Sequence, residues 1–275
     1  MKLEVEGVDY HIEILNEDRE QALVFLHGFT GSTTTWHSLV PHFAEYKIVL
    51  IDLLGHGLTD SPKDQERFAM DLQLRDLAKL FDRMGLQNFA LAGYSMGGRV
   101  ALAYACTYPE QIAALVLESA SPGLKTGPQQ SDRQKSDENL AERIVSEGIV
   151  SFVKSWEEVP LFKTQETLPQ TVKTAIREER LAQNPLGLAN SLRGIGTGAQ
   201  DSYWQAIRQL EMPVLLLTGS LDNKFTAIAE EIAAIMPNAV HREILAGHAL
   251  HVEKPAEFAT IVGEYLNMNY LGGKS

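Results

Sequence analysis

Asn88-Phe89-Ala90-Leu91-Ala92-Gly93-Tyr94-Ser95-Met96-Gly97-Gly98-Arg99-Val100 reads as a short apolar strand, a very tight turn and the start of an alanine-rich helix. Inside it lies Gly-x-Ser-x-Gly, formed by Gly93, Ser95 and Gly97. The spacing has a steric reason. A serine held in a strained conformation between strand and helix needs neighbours two residues away that lack side chains, so that the two elements can approach. Such a nucleophile elbow lifts the hydroxyl out of the backbone. The helix behind it aims free N–H groups and its positive dipole end at any negative charge that forms beside that hydroxyl.

Working outward, the flanking pattern is that of an α/β chain. Residues 3–15 alternate polar and apolar, which predicts an antiparallel edge hairpin. Ala22–Leu26 is a continuous apolar run, as expected of a strand buried on both faces, and Ile48–Asp52 and Ile112–Glu118 read as further core strands. Residues 70–84 place Leu72, Leu74, Leu77, Leu80 and Phe81 at helical spacing. From about Ser121 to Ser202 β-like runs stop, and a charged, helix-prone stretch too long for a simple crossover takes over. Its basic and aromatic members that look exposed are Arg133, Trp156, Phe162, Arg177, Arg180, Arg193 and Trp204. The α/β pattern resumes at Pro213–Thr218, followed by a helix over 226–236, a last strand Val240–Leu245 and a helix over 255–266. The expected organisation is an α/β core of 1–121 and 203–275, interrupted by a helical lid over 122–202.

Composition sets the outer limits. A chain of 275 residues, 44% hydrophobic, suits one substantial domain with an insertion. The net charge of −12 and the lack of a basic tract disfavour nucleic acid and anionic membranes as partners. The N-terminal Met1-Lys2-Leu3-Glu4-Val5-Glu6 has no apolar signal region, and no run reaches the length of a membrane span, so a cytoplasmic protein is expected. The single cysteine, Cys106, has no internal disulfide partner and reads as a packed thiol.

A serine needs a base, and the base needs an orienting acid. Asp222 and His248 each follow a strand-like run, which brings both to the carboxyl edge of the sheet beside Ser95, in the order serine, acid, histidine. Asp52, Asp60 and Asp201 are the competing acids, His251 is the rival base, and His56 reads as structural. The Gly-rich His27-Gly28-Phe29-Thr30-Gly31-Ser32 after a buried strand offers the Phe29 N–H as a second oxyanion donor beside that of Met96. Arg99 lies one turn past Ser95 on the same helix face, where it suits a carboxylate better than an ester or an alkyl chain. A salt bridge to a core acid is the alternative reading of Arg99.

His27-Gly-Phe-Thr-Gly, Asp52-Leu-Leu-Gly-His-Gly, Gly93-Tyr-Ser-Met-Gly-Gly-Arg, Glu118-Ser-Ala-Ser-Pro-Gly-Leu, Trp156 to Pro160, and Gly247-His248 together resemble the 2-succinyl-6-hydroxy-2,4-cyclohexadiene-1-carboxylate synthases. The resemblance runs over nearly the whole chain. The serine and histidine motifs identify only the wider superfamily; the Gly-Gly-Arg, the Ser-Pro-Gly-Leu and the arginines of the insertion are the more specific part. It implies an α/β-hydrolase fold with a mostly parallel central sheet flanked by helices. It also implies a lyase of menaquinone biosynthesis, which expels pyruvate from 2-succinyl-5-enolpyruvyl-6-hydroxy-3-cyclohexene-1-carboxylate with no metal or organic cofactor. Ser95, deprotonated towards His248, would then be the base, and Asp222 would orient His248. Arg99, Arg133 and Arg180 would bind the carboxylates of a small polycarboxylate substrate, with Tyr94, Trp156 and Phe162 lining the pocket. Arg177 or Arg193 could stand in place of Arg180. A monomer is expected. The rival function is a serine hydrolase (carboxylesterase, thioesterase or carbon–carbon bond hydrolase) with Ser95 as nucleophile; a catalytically silent scaffold is a further alternative, disfavoured by the intact Ser-Asp-His order.

Overall fold

The computed structural model describes residues 1–272. Eight strands form one sheet in the order β1-β2-β4-β3-β5-β6-β7-β8. β1 (Lys2–Val5) and β2 (Val8–Leu15) make the edge hairpin, and β2 pairs antiparallel with β4 (Lys47–Ile51). From β4 onward every pair is parallel: β3 (Ala22–Leu26), β5 (Phe89–Tyr94), β6 (Ile112–Glu118), β7 (Val214–Gly219) and β8 (Ala239–Ile244). The residues explain the placement. β3, β5 and β7 are buried at every position, as unbroken apolar runs must be, whereas β8 carries exposed Arg242 and Glu243 and closes the edge.

Helices cover both faces. α1 (Met70–Arg83) and α2 (Met96–Thr107) pack Leu74, Leu77, Phe81, Val100 and Tyr104 against one side of the sheet. On the other side, α8 (Pro255–Leu266) sets Phe258, Val262 and Leu266 beside Trp36 and Phe43. α1 differs from the simple stripe: Leu72 is only half-buried, while Asp76 is buried because Tyr10 Oη and Arg67 Nη2 each donate to it at 2.6 Å. α6 (Asn223–Ala233) begins three residues before the expected 226, because the Asp222 carboxylate accepts the Phe225 N–H at 3.4 Å and caps it.

Between β6 and β7 lie α3 (Gly127–Glu157), α4 (Gln170–Leu181) and α5 (Pro185–Ile195). They carry an apolar cluster of their own, including Ile144, Phe152, Val153, Leu188 and Leu192. α3 is interrupted at Gly148, whose φ of 79° is outside the helical region. Two side chains that look exposed in the sequence are not: Phe162 and Arg180 are both buried, because the guanidinium lies over the ring at 4.7 Å. The short α7 (Leu250–Glu253) follows the last strand. Among the described residues, no helix is long and apolar enough to cross a membrane.

A Cβ on Gly97 would lie 2.2 Å from the Leu26 carbonyl oxygen and 2.5 Å from that of His27, both backbone atoms at the end of β3. Gly97→Ala is expected to lower stability by about 2–4 kcal/mol, read as a shift in the urea midpoint; an unshifted midpoint contradicts the close approach. Burial and the neighbouring His27 push the buried His56 imidazole down to about 3 from its ordinary 6.5. The unfolded chain therefore takes up a proton that the folded chain refuses, so stability is full above pH 6.5 and falls as pH drops from 6.5 towards 3. The slope from this one group is up to ~1.4 kcal/mol per pH unit. His56→Gln is expected to flatten the fall of the urea midpoint over that window, and parallel slopes for the two proteins count against a neutral, buried His56.

Candidate active site

β5 ends at Tyr94 and α2 starts at Met96, which leaves Ser95 as the whole turn. Its φ of 51° and ψ of −103° are outside the ordinary regions for a residue with a Cβ. The strain is held by bonds on both sides. The Ser95 N–H donates to the Glu118 carbonyl of β6 at 2.8 Å, and the Arg99 N–H donates to the Ser95 carbonyl at 3.0 Å. Gly93 is needed because a Cβ there would lie 2.4 Å from the Gly97 carbonyl oxygen.

The geometry joins Ser95, His248 and Asp222 in series. His248 Nε2 is 3.0 Å from Ser95 Oγ, and His248 Nδ1 is 2.6 Å from Asp222 Oδ2. An ionised aspartate only accepts, so Nδ1 carries the proton and the Nε2 lone pair faces the serine hydroxyl. The His248 ring is 4.6 Å from the Phe225 ring and 5.4 Å from the Tyr94 ring, and the His248 backbone carbonyl accepts the Ser119 hydroxyl at 2.8 Å. His251, the rival base, is engaged elsewhere: its Nδ1 sits 2.8 Å from both Glu118 carboxylate oxygens. His56 Nδ1 contacts the Leu54 carbonyl at 3.2 Å, and Asp52 accepts the amides of Thr33 and Leu58. None of these three touches Ser95.

Phe29 and Met96 both border the same cavity as Ser95 and His248. The Met96 N–H heads α2, where no helical carbonyl precedes it. The Phe29 loop is braced from below. His27 Nε2 accepts the Leu53 N–H at 3.0 Å, which requires a neutral ring, and burial duly lowers the His27 pKa.

The cavity measures about 420 Å³. Tyr94, Trp156 and Phe162 all line it, as do Leu140, Phe225 and Ile228. Burial and the charge of Glu118 hold the Tyr94 phenol well above its ordinary pKa, so it stays protonated. The positive groups on the wall are Arg99, Arg133, Lys125 and Lys224. Arg99 is buried, and among the described residues its side chain is held by two neutral acceptors, the Ile195 carbonyl at 2.7 Å and Gln200 Oε1 at 2.6 Å. The salt-bridge alternative for Arg99 thus finds no carboxylate partner among the described residues. Burial and the charge of Arg133 lower its pKa to about 10, which leaves it charged at neutral pH. Arg133 is bonded to Asp137 at 2.7 Å.

Arg180 does not line this cavity. It lies one layer behind, over the Phe162 ring and 3.8 Å from Glu157, because a guanidinium with an aromatic face and a carboxylate at hand is drawn to both. Arg177 pairs with Glu157, and Arg193 forms a two-pronged bond to Glu138 with its shortest contact at 2.6 Å, so neither replaces it on the wall. Lys224 was missed in the sequence; the available signal was its position two residues after Asp222. Cys106 is half-buried and away from the cavity, with burial pushing its thiol up to about 12.

Comparison with known proteins bears on the whole chain. A family model described as alpha/beta hydrolase fold matches residues 21–255. A Bacillus subtilis (strain 168) protein, provisionally named 2-succinyl-6-hydroxy-2,4-cyclohexadiene-1-carboxylate synthase, is 44% identical over 95% of this chain and 96% of its own. An Enterobacter sp. (strain 638) protein with the same name, unqualified, is 31% identical over 90% of this chain and 92% of its own. The solved structure of MenH from S. aureus superposes with a TM-score of 0.90 at 37% identity, covering 94% of this chain and 98% of that one. The chain therefore belongs to the 2-succinyl-6-hydroxy-2,4-cyclohexadiene-1-carboxylate synthase family within the α/β-hydrolase fold.

Proposed function

We propose that this protein is the lyase of menaquinone biosynthesis that eliminates pyruvate from 2-succinyl-5-enolpyruvyl-6-hydroxy-3-cyclohexene-1-carboxylate, leaving 2-succinyl-6-hydroxy-2,4-cyclohexadiene-1-carboxylate. The observation that carries the reading is the pairing, in one cavity, of a serine bonded to a His–Asp couple with a buried arginine that has no carboxylate partner among the described residues. A hydrolase of neutral esters has no use for that arginine. A polycarboxylate does.

In this reading Ser95 Oγ, relieved of its proton by His248 Nε2, removes the ring proton α to the succinyl ketone. The electron pair moves through the ring alkene and breaks the carbon–oxygen bond to the enolpyruvyl group, which leaves as the enolate of pyruvate. Asp222 fixes the His248 tautomer and stabilises the imidazolium. The N–H groups of Phe29 and Met96 hold the negative charge that grows on the ketone oxygen, helped by the positive end of α2. Arg99 and Arg133 bind substrate carboxylates, Lys224 supplies a further positive charge near His248, and Arg180 adds its field from behind Phe162. Tyr94, Trp156 and Phe162 form the apolar wall. Residues 122–202, with their own apolar cluster, act as a lid that keeps bulk water from the enolate. No metal or organic cofactor is needed for these steps. The protein works as a monomer in the cytoplasm.

Pyruvate release from the enolpyruvyl cyclohexene substrate tests this. Ser95→Ala and His248→Ala are each expected to lower kcat by at least ~10²-fold. Arg99→Ala is expected to raise KM by about 10- to 100-fold, the loss of a charge-assisted bond of roughly 1.5–3 kcal/mol. No pyruvate above the uncatalysed rate sinks the lyase and turns attention to ester and thioester hydrolysis with Ser95 as nucleophile. Release that survives Ser95→Ala keeps the activity but removes Ser95 as the base.

A further inference from the structure

We infer that Gln200 is a positioning residue that holds Arg99 in place without cancelling its charge, and that a neutral side chain at 200 is what makes the cavity selective for carboxylates. The inference rests on the carboxylate-binding reading of Arg99 above and adds the residue that makes it work.

Every nitrogen of a guanidinium is a donor, so the atom of Gln200 that faces Arg99 Nη1 at 2.6 Å must be its amide oxygen. The amide NH2 is thereby turned away, and among the described residues Gln200 Nε2 is buried with no partner. An unpaired N–H in a side chain only 1% exposed is unfavourable. A glutamate of equal length would leave no N–H unpaired and would bind the arginine more strongly. It would also neutralise it. The amide instead ties down Nη1 alone, together with the Ile195 carbonyl. Among the described residues Nε and Nη2 have no protein acceptor, and these two form the side-on fork that grips a carboxylate. The arginines of the inserted segment are treated differently from Arg99: Arg133, Arg180 and Arg193 each have a carboxylate, Asp137, Glu157 and Glu138 respectively.

A second observation places Gln200 deliberately. The Ser-Pro-Gly-Leu motif at 121–124 clamps the segment that carries it. The Pro122 carbonyl accepts the Tyr203 N–H at 2.7 Å, and the Gly123 carbonyl accepts Trp204 Nε1 at 2.9 Å. Gly123 has a φ of +93°, and a Cβ there would lie 2.7 Å from the Asp201 carbonyl oxygen and 3.1 Å from Gln200 Nε2. The glycine is therefore the space that lets Gln200 reach beneath Arg99.

Steady-state pyruvate release by Gln200→Glu, Gln200→Met and Arg99→Met separates the possibilities, with circular dichroism and melting temperature as the check on folding. Gln200→Glu is expected to raise KM at least ~10-fold, close to Arg99→Met, with kcat changed less than ~3-fold. Gln200→Met, neutral but without the acceptor, is expected to raise KM by about 3-fold. An unchanged KM for Gln200→Glu while Arg99→Met is impaired overturns this inference alone, as do equal losses in the Glu and Met variants. No effect of Arg99→Met removes the carboxylate reading and this inference with it. If the glutamate variant does not fold, the pair decides: Gln200→Met should raise KM in the natural background and not on top of Arg99→Met. Equal rises in both backgrounds overturn the proposal.

Discussion

The close approach of β5, α2 and the end of β3 is the constraint on which the rest depends. Gly93 and Gly97 let the chain turn within one residue, and that residue is Ser95 at φ 51°. Once the turn is made, the Ser95 hydroxyl stands above the carboxyl edge of the sheet, and α2 points its N-terminus at the same space. The strain is borne by neighbours rather than by the turn. Glu118, at the end of β6, accepts the Ser95 N–H through its backbone and holds His251 through its carboxylate, so one residue links the elbow to α7.

Parallel strand order then gathers the partners. β7 and β8 lie on the same side of β5, and the loops at their carboxyl ends supply Asp222 and His248. Asp222 has two tasks at once, as cap of α6 through Oδ1 and as partner of His248 through Oδ2. The cap fixes its orientation, so the short bond to the imidazole needs no further ordering. The Tyr94 and Phe225 rings both pack against the imidazole.

Electrostatics of the cavity run against those of the chain. A protein of net charge −12 repels an anionic ligand unless positive groups are concentrated where it binds. Among the described residues, Arg99, Arg133, Lys125 and Lys224 line the cavity with the single carboxylate Glu231, and the low-dielectric surroundings of Tyr94, Trp156 and Phe162 strengthen their field. Not all of that charge is free. Lys125 is paired with Glu231 and lies 4.2 Å over the Trp204 ring, and Arg133 is paired with Asp137. Arg99 keeps its charge because its partners are an amide and a carbonyl.

Much of this was legible in residue order. A strand, a one-residue turn and a helix are set by local sterics and periodicity, so Gly93, Ser95 and Gly97 announce themselves, and runs such as Ala22–Leu26 and Val214–Thr218 can only be buried strands. Because strand ends carry function in a parallel sheet, the chain order of Ser95, Asp222 and His248 was readable before any distance was known. Which arginines reach the wall was not. Arg177, Arg180 and Arg193 sit on amphipathic helices whose facing depends on how α4 and α5 rest on the core, and a long guanidinium settles on whichever carboxylate or ring it meets first. Gln200 lay outside any pattern, since no periodicity marks a residue whose partner lies far away in sequence, as Arg99 lies from Gln200. By itself the sequence determined the elbow, the sheet and the order of the reactive groups, because these follow from short-range sterics and burial. The tertiary structure alone decided which charges stay unpaired, because that depends on long-range contacts between side chains.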